Sequence, residues 1–266
     1  MQLNKDNYFS KEADREYMSI TQFKDFDHEH GGCESAALAS LNGEWTEKEN
    51  SSFLIGSYIH AWSEGEEAFK KFIKDNYACI YKKNGDLYAD FAKADKMIET
   101  LKRDKLIEDF RVGDKEVILT ADLFGVKWKA MFDILNHENR FLIDLKTTKS
   151  IHEKYWNERR KTKENFIEFY DYTLQLAVYL EILRLNLDKA DYYDSYIIVV
   201  DKQDIPDKAI LYLGNSFIHE KLEEVENKIG HIVDVKNGKV EPKRCENCDY
   251  CRSTKQLKEI IYYKEI

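Results

Sequence analysis

Apolar residues that recur at helical intervals divide the first part of the chain into helices. This spacing predicts one helix over residues 53–73 and another over 88–108. Ser19 begins a Ser-x-x-Gln sequence that resembles a capping box, and a helix of small residues is expected over 35–41. The pattern therefore predicts an N-terminal helical part over residues 1–115.

Runs of β-branched and aromatic residues replace the helical pattern in the middle of the chain. Strands are predicted at 116–120, 128–135, 141–145, 192–200 and 209–213, and helices at 166–185 and 215–235. Strands that alternate with helices in this way indicate an α/β (α+β) protein, in which helices cover both faces of a mixed sheet. We expect one domain, with a catalytic sheet and helix over 116–214 and a helix and cysteine-rich strap over 215–266.

Three charged residues stand out within the predicted strands. Asp144 and Lys146 are two residues apart, so their side chains share one face of the strand. The polar turn 136–139 reverses the chain and can bring Asp133 beside Asp144, with Asp122 as the weaker choice of first acid. Two carboxylates beside an ammonium group suit Mg²⁺, and the lysine could orient or deprotonate water, or stabilise developing charge. The alternative is a solvated hairpin with ordinary charged residues.

Further motifs accompany this group of charges. They are Gly56-x-x-x-His60, Gln175-x-x-x-Tyr179 and a C-terminal run of cysteines. With Asp133 and the Asp144-Leu-Lys146 sequence, they give a chain that resembles the PD-(D/E)XK nucleases, in particular the RecB-like and exodeoxyribonuclease VIII-like (RecE-type) branch often encoded by phages.

This resemblance implies a restriction-endonuclease-like core and a role for each matching residue. His60, Asp133 and Asp144 would hold Mg²⁺ or Mn²⁺, Lys146 would serve the attacking water, and Gln175 and Tyr179 would support the site. The implied function is an exonuclease that hydrolyses duplex DNA ends in phage-type recombination or repair. A single-strand annealing protein and a ring-shaped homo-oligomer are the implied partners. A non-catalytic DNA-end or protein-binding module, and a nuclease acting on RNA, remain alternatives.

The cysteines form a second candidate site. Cys245, Cys248 and Cys251 are spaced like the ligands of an iron–sulfur cluster. The resemblance implies Cys33 as the fourth ligand of a [4Fe-4S] cluster that holds the chain ends together. Zinc is the competing metal, and unmetallated thiols are a further alternative. Cys79 lies in an apolar segment and is predicted to belong to the core.

Composition narrows the choice of partner and compartment. The sequence has no long uncharged apolar run and no basic-then-apolar start, so we expect a cytoplasmic protein without a membrane partner. The net charge of −9 does not exclude a nucleic acid, because binding depends on local charge. The most basic stretch is Lys154 to Lys163, which is either a solvated segment or a DNA contact at the mouth of the site.

Overall fold

A computed structural model describes residues 1–46, 51–187, 192–257, 259–260 and 262–265. Its helices are α1 (Lys11–Glu16), α2 (Ile20–Phe26), α3 (Glu34–Asn42), α4 (Ser51–Glu64), α5 (Glu66–Asp75), α6 (Tyr77–Ile80), α7 (Ala89–Lys102), α8 (Lys105–Phe110), α9 (Phe166–Phe169), α10 (Tyr172–Asn186), α11 (Ile218–Lys236) and α12 (Asp249–Ser253). Its strands are β1 (Asp114–Leu123), β2 (Val126–Asn136), β3 (Phe141–Thr148), β4 (Tyr155–Asn157), β5 (Thr162–Glu164), β6 (Asp194–Asp201) and β7 (Lys208–Tyr212). Short 3-10 turns cover His28–His30 and Tyr263–Glu265.

Five strands form one mixed sheet in the order β1-β2-β3-β6-β7. β1, β2 and β3 pair antiparallel, β6 lies parallel to β3, and β7 pairs antiparallel with β6 at the edge. The parallel step from β3 to β6 requires a crossover, which α10 provides. β3, with its row of buried residues, is therefore the central strand. β4 and β5 form a separate hairpin.

Helices cover the sheet on both faces, and each face has its own apolar cluster. On one face Trp128 and Phe132 pack with residues of α2, α10 and α11. On the other face Ile143 and Leu145 pack with residues of α4, α7 and α8. The first part of β3 is thus covered on both faces, which explains the apolar residues at its start. The predicted α+β fold class is confirmed.

The predicted long helices are interrupted at residues whose local conformation opposes an unbroken helix. Gly65, at φ +148°, separates α4 from α5, and the Asp104 side chain caps α8 after the chain leaves α7. Asp171, a non-glycine residue at φ +46°, caps α10. Ser19 is the N-cap of α2, as its Ser-x-x-Gln sequence predicts. Its side chain accepts a hydrogen bond from the Gln22 N–H at 3.1 Å. Hydrophobic periodicity continues through such breaks, so it overestimated helix length.

Two further observations concern the surface. Cys79 is exposed, so the prediction that it belongs to the core is wrong; α6 turns Ile80 inward and leaves Cys79 on the outside. Within the described residues, the helices are all too short or too polar to span a bilayer.

Candidate active site

The centre of the candidate site is the end of β3, where Asp144 and Lys146 lie on one face of the strand. Lys146 Nζ is 2.7 Å from Asp144 Oδ2. Leu145, between them, points into the opposite apolar cluster. Asp144 is 4% exposed, so its charge is held almost out of water beside the lysine. The alternation of a β-strand accounts for this arrangement.

Asp133 reaches the same place from β2. The ladder between β2 and β3 runs only as far as the Ile134–Ile143 pair. Beyond it, Asp133 Oδ2 accepts a hydrogen bond from the Leu145 N–H at 2.6 Å, which joins the two strands where backbone pairing ends. Helix α4 places His60 above the sheet, with Nδ1 3.4 Å from Asp133 Oδ1.

Helix α10 supplies the supporting residues. Gln175 Nε2 donates a hydrogen bond to Asp144 Oδ1 at 2.7 Å. The Tyr179 ring lies 5.0 Å from that of Phe132 on β2. Gln175 therefore orients an acid directly, whereas Tyr179 holds β2. The Tyr172 ring, which sequence reasoning missed, lies 4.8 Å from Lys146 Nζ as a cation–π partner.

A third carboxylate, missed in the sequence, enters the site from β1. Glu116, His60 and Asp133 each offer a ligand atom within 4.8 Å of the others. Glu116 has φ +53°, a left-handed conformation that is uncommon for a residue with a side chain. Asp122, the weaker alternative for the first acid, is exposed near the far end of β1 opposite Lys127.

Burial and charge shift the acidity of the whole group. Burial lowers the pKa of His60, but the Asp133 carboxylate outweighs it and raises that pKa to about 9. Burial opposes ionisation of Asp133, yet His60 lowers its pKa overall. For Asp144, burial and the charge of Asp133 raise the pKa, despite Lys146. Burial and Asp133 raise the pKa of Glu116 to about 7. Burial disfavours charge on Lys146, but Asp144 outweighs it and keeps the lysine pKa above its usual value.

These groups line one cavity of about 1010 Å³. Asp144 Oδ2 is buried and is paired with Lys146 Nζ at 2.7 Å. A buried carboxylate beside a second and a third carboxylate is a donor set that fits a hard divalent cation. Asp133, Asp144, Glu116 and His60 are therefore the residues that could hold one.

The cysteine site comes together from distant parts of the chain. Cys33 precedes α3, while Cys245, Cys248 and Cys251 surround the start of α12. All four sulfurs lie within 4.8 Å of one another; Cys33 Sγ is 3.5 Å and Cys245 Sγ 3.9 Å from Cys251 Sγ. All four are free thiols. The backbone N–H groups of Asn247 and Cys248 overcome the effect of burial and lower the Cys245 pKa to about 6.

A separate buried group of charges, here called the His30 network, surrounds the start of α10. Its members are Asp27, His30, Asp171, Lys221, Glu224 and Lys228. His30 Nδ1 is 2.8 Å from Asp27 Oδ2, and its Nε2 is 3.1 Å from Asp171 Oδ2. Lys221 Nζ donates to Asp171 Oδ2 at 2.8 Å. Each nitrogen of the His30 imidazole is therefore hydrogen-bonded to a carboxylate.

The basic stretch predicted between Lys154 and Lys163 forms the β4–β5 hairpin. Arg160 makes a bidentate pair with Glu164, at 2.6 and 2.7 Å, and so serves the hairpin itself. Arg159 packs against Gly31, which lines the cavity. Trp156 is 48% exposed. The stretch thus divides into a structural arginine and cationic or aromatic groups that remain accessible.

Known proteins resemble this chain over nearly its whole length. A presumed exonuclease from Eubacterium rectale, known from its crystal structure, is 36% identical in sequence to this chain. The two structures superpose with a TM-score of 0.92, and the match covers 100% of this chain and 98% of that chain. The crystal structure of SSO0001 is 15% identical, with a TM-score of 0.30 over 87% of this chain and 93% of that one, which is too weak to support an argument. No curated protein matches. The profile of the PDDEXK-like domain of unknown function (DUF3799) matches residues 19–254, and the chain belongs to this PDDEXK-like family.

Proposed function

We propose that this protein is a divalent-metal-dependent deoxyribonuclease that hydrolyses phosphodiester bonds at the ends of duplex DNA. The observation that carries the proposal is the convergence of Asp133, Asp144, Lys146 and His60 on one cavity, where Lys146 is paired with Asp144 and His60 with Asp133. The PDDEXK-like family supports nuclease chemistry in general. The preference for chain ends is inferred from the name of the Eubacterium rectale protein, an exonuclease. The preference for DNA rests on the resemblance of the motifs to the RecE-type nucleases.

Each side chain has a role that follows from its contacts. Asp133 and Asp144 would hold Mg²⁺ or Mn²⁺, and His60, paired with Asp133, would complete or orient this set. The cation supplies a Lewis acid and an activated water when bound. Lys146, paired with Asp144 at 2.7 Å, would orient the attacking water or stabilise negative charge on the phosphate. Gln175 fixes the rotamer of Asp144 through its hydrogen bond.

The cavity also has features suited to a nucleic-acid strand, despite the net charge of −9. Lys11 lines it, and a lysine ammonium attracts phosphate. Phe9 lines it too and is 77% exposed, which leaves a ring available for stacking on a base. Arg159, against Gly31, adds a cation near the rim. These groups support a polyanionic substrate with bases.

Nuclease assays on linear, nicked, circular and single-stranded DNA, with Mg²⁺, Mn²⁺ or EDTA, test the proposal. We expect metal-dependent loss of linear duplex from its ends and little cutting of closed circles. Lys146→Ala should abolish cleavage, whereas Lys149→Ala should not, because Lys149 is exposed and pairs with Glu153. If closed circles are cut as fast as linear duplex, the protein is an endonuclease and not an exonuclease. If RNA is cut in preference to DNA, the proposed DNA substrate is wrong.

We further propose that Cys33, Cys245, Cys248 and Cys251 bind a structural metal. Their sulfur separations of 3.5 and 3.9 Å support a single tetrahedral ion. Zinc–sulfur bonds of about 2.3 Å in a tetrahedron place the sulfurs roughly 3.8 Å apart. A cubane iron–sulfur cluster, with four irons between the thiolates, needs a wider set. The observed spacing therefore favours zinc over the [4Fe-4S] cluster that the ligand spacing in the sequence suggests.

Metal analysis of anaerobically purified protein distinguishes the two metals. One zinc and no iron per chain is the expected result, and a brown protein with iron would favour the cluster. Cys248→Ser should lose the metal and lower the melting temperature, because the site joins segments 218 residues apart. Cys79→Ser is the matched control, since Cys79 is exposed and free. If the wild-type protein contains neither zinc nor iron, the proposed metal site is wrong.

A further inference from the structure

We propose that Tyr172 is a positioning residue, whose ring face holds the ammonium of Lys146 where that group can serve the substrate. The inference rests on the proposed function, because Lys146 is the residue that Tyr172 assists. Tyr172 belongs to none of the sequence motifs of the site, and the first turn of α10 brings it there.

The ring is one of two partners that the lysine ammonium has. Lys146 Nζ lies 4.8 Å from the centre of the Tyr172 ring and 2.7 Å from Asp144 Oδ2. A lysine carries its charge on a flexible four-carbon stem, so a single contact leaves the ammonium free to swing. The ring face adds a second contact and so restricts its direction. The Lys146 side chain is only 18% exposed, and shielding from water strengthens a cation–π attraction.

The Tyr172 ring is itself held in place by other aromatic rings. The ring of Tyr170 is stacked on it, with 5.7 Å between the centroids, and the ring of Phe166 meets it edge-on at 6.3 Å. Tyr172 also packs against the apolar cluster that Phe166 belongs to. The ring therefore cannot turn away from the lysine without losing these contacts.

Hydrogen bonds fix the backbone that leads into Tyr172. Lys24 Nζ donates to the carbonyl oxygens of Tyr170 at 2.9 Å and of Asp171 at 2.7 Å. Asp171 caps α10 with its side chain and belongs to the His30 network. The network thereby fixes the turn from which the Tyr172 ring extends towards Lys146.

The two partners of Lys146 differ in what else they can bind. Asp144 is also one of the acids that would hold the divalent cation, and Mg²⁺ takes oxygen ligands. The ring face offers no such ligand, so its contact with the ammonium does not compete with the cation. Tyr172 is therefore the partner that can keep Lys146 in position whether or not Asp144 is engaged elsewhere.

Nuclear magnetic resonance of the metal-free protein tests the contact directly. Protons above a ring face are shielded, so the ε-methylene signal of Lys146 should be shifted upfield in protein with isotope-labelled lysine. Lys146→Ala identifies the signal by its absence. Tyr172→Phe keeps the ring and should keep the shift, whereas Tyr172→Leu should lose it.

Cleavage kinetics test the positioning role. Tyr172→Leu should lower kcat on linear duplex by about tenfold with little change in KM, because Lys146 acts in the transition state. Tyr172→Phe should retain the wild-type kcat. Trp62→Leu is the control: it removes a cation–π pair outside the cavity, in which the Arg111 guanidinium lies 3.8 Å from the ring centre, and should keep kcat.

Three results would overturn the proposal. They are an unshifted Lys146 signal in the wild-type protein, a wild-type kcat in Tyr172→Leu, and a loss in Tyr172→Phe as large as in Tyr172→Leu. The wild-type spectrum and Tyr172→Phe decide the matter even when Tyr172→Leu does not fold, which circular dichroism shows. A wild-type protein with a shifted Lys146 signal that cuts no nucleic acid would instead overturn the proposed function and leave the contact between ring and ammonium standing.

Discussion

Two buried groups of charges in this protein each place a histidine among carboxylates and a lysine, yet they differ in completeness. In the His30 network both imidazole nitrogens are bonded to carboxylates, and Asp171 also receives Lys221. The imidazole of His60 is paired less tightly: its Nδ1 lies 3.4 Å from Asp133 Oδ1, a longer separation than either contact of His30.

The difference separates a structural cluster from a functional one. A fully paired network satisfies its own charges, so it can fix the start of α10 without a ligand. A group with several carboxylates facing one cavity has like charges close together at a cost in stability, as expected of a site that a cation completes. The two groups share α10, which the His30 network anchors and which carries Gln175 to Asp144.

The largest expected effect is the loss of nuclease activity when an acid of the His60 group, but not of the His30 network, is replaced. Asp144→Asn should lower the cleavage rate by about a thousandfold or more, since a lost metal ligand costs several kcal/mol in the transition state. The variant should still fold, because asparagine has the shape of aspartate and keeps an oxygen that accepts the hydrogen bond from Gln175. Gel assays of linear duplex, with circular dichroism of the same samples, measure both. Cleavage at the wild-type rate would remove Asp144 from the site.

Asp171→Asn should have the opposite profile. The exchange leaves Lys221 and His30 without a charged partner in a buried setting, and breaking such pairs costs about 3 kcal/mol or more of unfolding free energy. Urea denaturation measures the loss. Asn tolerates positive φ and can still cap α10, so backbone strain does not contribute. An unchanged stability would show that the His30 network is not structural.

Addition of Mg²⁺ should stabilise the protein through only one of the groups. A ligand at a hundred times its dissociation constant stabilises the folded state by about 2.7 kcal/mol. The wild-type melting temperature should therefore rise with Mg²⁺ and fall again with EDTA, and Asp144→Asn should respond much less. Asp27→Asn serves as the control, because its site is already satisfied and the Mg²⁺ shift should persist. A shift lost in that control would place the cation in the His30 network.

The smallest expected effect is the pH dependence of the His30 network. Burial opposes ionisation of Asp27, but His30 and Lys228 lower its pKa to about 2. A lowered carboxylate pKa gives stability that is present above the unfolded value near pH 4 and is lost as the pH falls through 2, here on the order of 2 kcal/mol. Thermal melts should show a steeper loss between pH 4 and 2 in the wild-type protein than in Asp27→Asn.

On the alkaline side the sign reverses. Burial lowers the pKa of His30, but hydrogen bonds to Asp171 and Asp27 raise it overall. A raised histidine pKa gives stability that is complete below pH 6.5 and is lost as the pH rises through the folded-state pKa. The same melts should therefore show a decline above neutrality that His30→Gln abolishes. Parallel curves for the two proteins would contradict this assignment.

The sequence predicted the parts of the fold and site that are local in the chain. Strand alternation placed Asp144 and Lys146 on one face, and apolar runs located the strands of the main sheet. The position of Glu116 could not be predicted in this way, because it depends on the register between β1 and β2 and on a left-handed backbone. The His30 network was likewise beyond local patterns, since Asp27 and Lys228 are 201 residues apart.

The bond from Asp133 to the Leu145 N–H also limits how this protein can be altered. An acid that both faces the cavity and ties two strands cannot be exchanged without disturbing the sheet. Any residue lacking an acceptor there leaves an amide of the central strand unpaired. A catalytically dead form for trapping nucleic-acid complexes is therefore better made at Lys146, whose side chain ties no strands together. In related proteins that have lost activity, we expect substitutions to appear first at Lys146 and last at Asp133.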